Sequence, residues 1–136
     1  MITNDAASVT ELSNQLGYSN STDDMQLRIS QMLQHNYNRL FVAIYNERVT
    51  GWIHGCLVTR IESGSFAEIG GLVVDKSFRQ QGIGKLLVEA VKNWATENGT
   101  TKLRVRCNIN RPESHQFYNS LGFTLNKEQK VFDKVL

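Results

Sequence analysis

Residues 72–85 read LVVDKSFRQQGIGK and contain the clearest structural signal in the chain. The apolar run from Leu72 to Val74 is typical of the end of a buried strand. Residues 75–81 are polar and predict a turn. From Ile83 onward, apolar residues recur at intervals of three, one and three positions, which predicts an amphipathic helix that ends at Gly99. A strand, a glycine-bearing turn and a regular helix therefore follow one another directly.

This turn has the chemistry of an anion site. A helix N-terminus has unpaired N–H groups and a partial positive charge, and glycines at 82 and 84 would let a phosphate approach them closely. Arg79 and Lys85 add a cation on each side of the loop. A pyrophosphate is the expected ligand, and a turn with a purely structural use is the alternative.

Two familiar nucleotide-binding motifs do not fit the segment. A Walker A loop needs a glycine where Phe78 or Arg79 stands, and a Ser or Thr where Leu86 follows Lys85. A dinucleotide fingerprint needs a small residue in place of Leu87 and an acidic residue at the end of a second strand. Both interpretations are disfavoured.

The remaining segments alternate between helical and extended patterns. The predicted elements are a helix over 4–16 closed by Gly17, a helix from Ser21 or Thr22 to Leu33, a hairpin of 41–45 and 49–58, a strand over 66–74, a strand over 102–107, a helix from Pro112 to Gly122, and a last strand over 130–136, with a short strand at 123–125 left open. This order predicts an α/β fold, a mixed sheet with helices on both faces.

Composition narrows the class of protein. The 136 residues predict a single domain spanning 1–136, and a net charge of +2 without a basic run argues against nucleic acid as a partner. No apolar stretch approaches the ~20 residues of a membrane helix, and no signal peptide follows Met1, so neither a membrane nor secretion is expected. Cys56 and Cys107 lack metal-ligand spacing, so no metal is expected, and buried thiols in the cytoplasm are predicted.

Three segments together resemble the Gcn5-related N-acetyltransferase (GNAT) family. Residues 79–84, RQQGIG, match the pattern Arg/Gln-x-x-Gly-x-Gly/Ala of its motif A. Residues 68–74 resemble its fourth strand, and residues 110–123, NRPESHQFYNSLGF, resemble its motif B. The resemblance implies a centrally splayed mixed sheet. Since only Met1 to Thr3 precede the first predicted helix, the family's first strand is expected to be short or missing.

The resemblance also implies a site for acetyl-CoA and no metal. The coenzyme would lie between two diverging parallel strands, the backbone N–H groups of residues 72–74 would pair with pantetheine, and the loop would hold the pyrophosphate. Asn110 matches a position that contacts pantetheine, although it could equally cap the following helix. The implied cofactor-binding residues are Leu72, Val73, Val74, Arg79, Gln80, Gln81, Gly82, Ile83, Gly84, Lys85, Asn110 and Tyr118.

The resemblance implies catalytic roles for two residues. Tyr118 matches the tyrosine that faces the coenzyme sulfur, so it would be the general acid; otherwise it fills the apolar face of its helix. Glu68 would act, often through water, as general base on the amine, or it is an ordinary paired charge. His54 shares a strand face with Trp52 and Cys56 and could be an alternative base on the acceptor side, or a structural residue.

Three further polar side chains are assigned structural roles. His115 is expected to lie at the surface or to pack on its helix. Arg104 and Arg106, on one strand face, are expected to pair with carboxylates.

The predicted activity is acetyl transfer to a primary amine of a small molecule or peptide. The chain resembles small bacterial proteins grouped with aminoglycoside 6'-N-acetyltransferases, but the acids that could bind a polycation are few and dispersed: Asp23, Asp24, Glu47, Glu62 and Glu68. The alternatives are a non-catalytic acetyl-CoA- or CoA-binding regulatory module, and a phosphate- or nucleotide-binding domain that shares only the glycine turn. An exposed sheet edge beside the hairpin would favour a homodimer.

Overall fold

The computed structural model describes all 136 residues. Its elements are a 3-10 turn Thr3–Asp5, α1 Ala6–Asn14, α2 Thr22–Leu33, β1 Asn38–Tyr45, β2 Arg48–Arg60, β3 Gly64–Val74, a 3-10 turn Lys76–Phe78, α3 Ile83–Glu97, β4 Leu103–Val105 and α4 Pro112–Ser120. The predicted helices and the first three predicted strands are confirmed, with shifts of a few residues at their ends. The chain divides into two compact units, residues 1–106 and residues 107–136.

The first unit is built on a four-stranded sheet. The strand order is β1-β2-β3-β4, and the two pairs β1–β2 and β2–β3 are antiparallel. β3 and β4 are parallel, as expected for strands joined through the crossover helix α3. The mixed α/β class predicted from the order of elements is therefore confirmed.

Helices cover both faces of this sheet. On one face, Ala6 and Val9 of α1 and Met25 and Ile29 of α2 form a core with Leu40 of β1. On the other face α3 lies directly on β2, because two glycines there leave room for it. A Cβ on Gly55 would come within 2.8 Å of Val91, and one on Gly51 within 3.1 Å of Leu87. This close approach buries the apolar stripe of α3.

The two parallel strands separate after a short ladder. Ala67, Glu68 and Ile69 of β3 pair with Leu103, Arg104 and Val105 of β4, and the ladder ends there. β3 continues to Val74 along β2 alone, after an irregularity in its register at Gly70. Residues 70–74 therefore have one strand edge without a strand partner, and the sheet opens at this point.

The ends of the chain confirm one sequence prediction and correct others. No strand precedes α1, which confirms the expectation that the family's first strand is short or missing, and the Met1 ammonium group donates to the Leu40 carbonyl at 3.3 Å. β4 ends at Val105 rather than at residue 107, because its pairing with β3 stops there. The last strand predicted over 130–136, and the short one left open at 123–125, are absent: nothing after α4 pairs with another strand.

The cysteines also differ from expectation. Both are free thiols, but each is only partly buried.

None of the helices combines the length and the apolar character that crossing a membrane requires.

Candidate active site

The loop between β3 and α3 has the backbone geometry that the sequence predicts for an anion site. Gly82 caps α3 in the left-handed region with φ +82°, and Gln80, two residues earlier, has φ +62°. The first helical bond runs from the Leu86 N–H to the Gly82 carbonyl, so the N–H groups of residues 83–85 lack acceptors within the helix. Open space surrounds Gly82, since a Cβ there would meet nothing within 4 Å.

Two cations flank these N–H groups. The side chain of Lys85 is exposed and makes no ion pair. Arg79 is also exposed, and its Nε donates to the Val74 carbonyl at 3.4 Å, which holds the guanidinium beside the end of β3. Neither charge is neutralised by a carboxylate. The loop therefore offers unpaired donors and positive charge to an anion.

A buried carboxylate fixes the start of the loop, a feature that the sequence analysis missed. Asp75 is 1% exposed, and its Oδ2 accepts from Arg48 Nη2 at 2.8 Å. Its Oδ1 accepts from the Ser77 N–H at 2.9 Å, and its own N–H donates to the Thr50 carbonyl. The Ser77 hydrogen bond holds the pKa of the Asp75 carboxyl below its usual value despite burial, and Arg48 acts in the same direction.

Glu68 lies within the short β3–β4 ladder. Its Oε1 accepts from Arg106 Nε at 2.8 Å, and its side chain is 15% exposed. The expected carboxylate partner of Arg106 is thus confirmed. Arg104 differs from expectation, because its guanidinium lies over the Phe66 ring at 4.3 Å and it has no carboxylate partner. The glutamate that the sequence offers as a base is therefore held in an ion pair.

His54 lies beside the point where the sheet opens. It pairs with Gly71 of β3, and its Nε2 is 2.9 Å from Oδ1 of Asn38 on β1. The position of a Cβ on Gly70 is 2.5 Å from His54 Nδ1, so the imidazole occupies the space that a side chain at residue 70 would fill. Burial lowers the pKa of His54 below 6.5. The neighbouring Trp52 has a buried Nε1 without a hydrogen-bond partner.

The second unit contains Tyr118 on α4. Its ring makes edge-to-face contacts with Phe117 and Phe123, at centroid distances of 5.0 and 5.4 Å. Its hydroxyl has no hydrogen-bond partner. Burial, and then the nearby Cys107, raises the pKa of the phenol well above its usual value, so the group keeps its proton at neutral pH. Tyr118 is therefore packed against two aromatic rings and protonated at neutral pH.

The turn before α4 is organised by Asn108 rather than by Asn110. Asn108 Oδ1 accepts from the Asn110 N–H at 2.9 Å, and the Asn108 carbonyl lies 2.9 Å from His115 Nε2. The N-cap of α4 is Arg111, and Pro112 occupies the first turn. Asn110 is exposed and does not cap the helix, which removes that alternative. His115 packs on its own turn, as expected.

Comparison with known proteins assigns the chain to a family. Residues 6–123 match the model of the acetyltransferase (GNAT) family. The chain belongs to this GNAT family. The sequence resemblance drawn from motifs A and B is thus confirmed, and with it the fold class and the assignment as a GNAT-type acetyltransferase.

Individual GNAT relatives agree with this assignment. The chain is 26% identical over 108 residues to an uncharacterised N-acetyltransferase, YhdJ, of Bacillus subtilis, covering 79% of this chain and 75% of YhdJ. It is 26% identical over 97 residues to aminoglycoside N(6')-acetyltransferase type 1 of Salmonella typhimurium, covering 68% and 67%. The solved structure of AAC(6')-Iy with the bisubstrate analogue CoA-S-monomethyl-acetylneamine superposes with a TM-score of 0.87 at 22% identity, over 100% of this chain and 95% of that one.

The GNAT chain has no evident metal centre. No group of three or more His, Cys, Asp or Glu side chains is placed to hold a metal ion.

Proposed function

We propose that this protein is an acetyl-CoA-dependent N-acetyltransferase that moves the acetyl group directly to a primary amine of a small molecule or peptide. The observation that carries the proposal is the combination, on one continuous segment, of an opened strand edge and an anion-binding helix N-terminus. Residues 70–74 lack a strand partner on one side, and the loop that follows ends in the left-handed Gly82. The free edge of residues 70–74 could hydrogen-bond a pantetheine amide, and the helix N-terminus that follows could bind the pyrophosphate.

The backbone of residues 72–74 would bind pantetheine, and the loop would bind the pyrophosphate. The N–H groups of Ile83, Gly84 and Lys85 supply donors, and the left-handed conformations of Gln80 and Gly82, on either side of Gln81, set their direction. Arg79 adds positive charge. We propose Asn110 as a further pantetheine contact. It is exposed and lies just before α4.

The proposed transfer is a single displacement. The amine nitrogen bonds to the thioester carbonyl carbon, the carbon–sulfur bond breaks, and its electron pair leaves on sulfur. Tyr118 gives its phenolic proton to that sulfur and is reprotonated from solvent. The proton that the attacking nitrogen loses must pass to a base, and Glu68, His54 and water are the candidates.

The charge of the described residues supports an acceptor with few positive groups. Glu68, in the ladder that ends where the sheet opens, is paired with Arg106, and Asp75, at the start of the loop, is paired with Arg48. A polycationic acceptor would need several carboxylates that are not already neutralised. A small-molecule or peptide amine with one or two positive charges is therefore the proposed class, although similar proteins are named for aminoglycosides.

Thermal unfolding with and without acetyl-CoA, followed by thiol release with a panel of amines, tests this function. Saturation at 100 times the dissociation constant should stabilise the fold by about 2.7 kcal/mol, visible as a shift of several degrees. The panel contains sisomicin, spermidine, lysine and a peptide with a free N-terminus. A shift without thiol release would favour the non-catalytic coenzyme-binding module, and the absence of a shift would exclude acetyl-CoA.

We further propose a cytoplasmic homodimer. Cys56 and Cys107 are free thiols, which suits a reducing compartment. β1 is an edge strand, and apart from Leu40 its outer edge is left open to a second chain. Light scattering during gel filtration should give twice the mass of the chain; the mass of one chain would exclude the dimer.

A further inference from the structure

His54 projects toward the opening in the sheet. It lies on the face that carries α1 and α2, and it pairs with Gly71, immediately beyond the end of the β3–β4 ladder at Ile69. The ring is partly exposed, and Gly70, beside it, is exposed. A ligand that enters between the separating strands would therefore reach the imidazole without displacing a side chain at residue 70.

The hydrogen bond to Asn38 fixes which nitrogen of the ring is free. Asn38 Oδ1 can only accept, so His54 Nε2 carries the proton. Nδ1 then carries the lone pair, and it has no hydrogen-bond partner. This is the nitrogen that lies 2.5 Å from the position of a Cβ on Gly70. The histidine is thus oriented by a neighbour, and its basic nitrogen lies against Gly70, the first residue of β3 beyond the β3–β4 ladder.

Glu68 is less well placed for the same task. It sits inside the ladder, opposite Arg104, where the two strands are still joined. Its carboxylate already accepts a charge-assisted hydrogen bond of 2.8 Å from Arg106. A carboxylate that is bound to a guanidinium is a weaker proton acceptor than an unpartnered imidazole nitrogen.

We infer that His54 Nδ1 removes the proton from the acceptor amine as the amine attacks the thioester, an inference that rests on the proposed function. The proton moves from the nitrogen of the amine to Nδ1, Nε2 stays bonded to Asn38, and the imidazolium later gives the proton to solvent. Gly70 is required because a larger residue would displace the ring.

The surroundings of the ring favour the neutral form in the absence of substrate. The ionisable groups one step along the same face are Cys56 and Glu68. The buried residues of α1 and α2 include no ionisable side chain, and β1 presents Asn38 and Leu40. Burial lowers the pKa of His54, so the base is available at pH 7.

The test measures kcat and the pH profile of thiol release for wild type and His54→Gln, with the amine that the panel identifies. We expect kcat to fall about 100-fold or more and the acidic limb of the profile below pH 6.5 to disappear, while KM for acetyl-CoA and its thermal shift stay unchanged. His35→Gln is the matched control, because His35 is exposed and stacks on Tyr37.

A second variant tests whether a base beside residue 70 supports catalysis when the histidine is absent. Gly70 does not have a positive φ, so its backbone accepts a side chain once the ring is gone. His54→Ala combined with Gly70→Glu should regain part of the activity that His54→Ala loses, because a carboxylate then stands where Nδ1 stood.

Two results would overturn the inference. One is a His54→Gln enzyme with wild-type kcat and an intact acidic limb; the other is loss of that limb in Glu68→Gln but not in His54→Gln. If the wild type releases no thiol with any amine, the proposed function has failed, and the inference falls with it.

Discussion

Arg48 Nη2 lies 2.8 Å from Asp75 Oδ2, and this pair joins the β1–β2 turn to the first residue after β3. Arg48 follows two residues with positive φ, Asn46 and Glu47, so the tight turn directs its side chain across the end of the sheet. Its guanidinium also lies 5.7 Å from the centre of the Phe78 ring. The pair therefore anchors the start of the loop that continues from Asp75 to Gly82.

Removing this anchor should weaken coenzyme binding more than it slows chemistry. In Arg48→Met we expect KM for acetyl-CoA to rise severalfold with little change in kcat, because the loop loses its fixed starting point. Steady-state kinetics measures both constants. Arg39→Met is the matched control, since Arg39 is exposed and makes no ion pair. An equal effect of both substitutions would refute an anchoring role.

The buried carboxylate of Asp75 should also make the free energy of unfolding fall in acid. Its pKa is lowered from 3.8 in the folded chain, so the unfolded chain binds the proton first. The stabilisation from Asp75 is complete above the pKa that this carboxyl has in the unfolded chain. It is lost as the pH falls through the lower pKa of the folded chain. Urea unfolding from pH 6 to pH 2.5 should therefore show a steeper acidic decline for wild type than for Asp75→Asn, and parallel curves would contradict this assignment.

Gly82 should be needed for coenzyme binding beyond its effect on stability. Gly82 and Gly99 both have positive φ, +82° and +78°, and both lie in open space. Replacing either by leucine should cost about 1 kcal/mol of backbone strain. Only Gly82→Leu should abolish the thermal shift with acetyl-CoA, because Gly99 lies at the other end of α3. Retained binding by Gly82→Leu would exclude a pyrophosphate site in the loop.

Tyr118→Phe should reduce kcat by about 100-fold and leave the affinity for CoA nearly unchanged. The ring contacts with Phe117 and Phe123 survive the substitution, and only the hydroxyl is lost. Because the pKa of the phenol is raised well above neutrality, the loss should be the same at pH 7 and pH 9. Tyr37→Phe, on an exposed ring, is the control. If CoA affinity collapses instead, Tyr118 is a binding residue and the general acid lies elsewhere.

The segment from β3 to α3 could be predicted from sequence because its signals are local. The interval between apolar residues defines α3, and glycine and polar residues mark the turn before it. β4 and the end of the chain could not be predicted as well. The residues over 130–136 have strand propensity, but a strand needs a partner to exist, and none pairs with them in the structure.

The candidate site depends on contacts between distant residues, which periodicity does not reveal. Arg48 and Asp75 are 27 residues apart, and Glu68 and Arg106 are 38 apart. The register irregularity at Gly70 follows from how β2 and β3 pair, and it places His54 opposite Gly71 with its ring against Gly70. The sequence contains one signal for it: the pair Gly70-Gly71 lies within a strand, which is typical of a bulge or a close approach.

We propose above that this chain transfers an acetyl group from acetyl-CoA to an amine. The most direct measurement is mass spectrometry of the chain incubated with acetyl-CoA and each amine of the panel, with free CoA quantified in the same samples. We expect one class of amine to gain an acetyl group, with an equal amount of CoA released. Binding of acetyl-CoA without any acetylated amine, or release of CoA without a matching product, would contradict it.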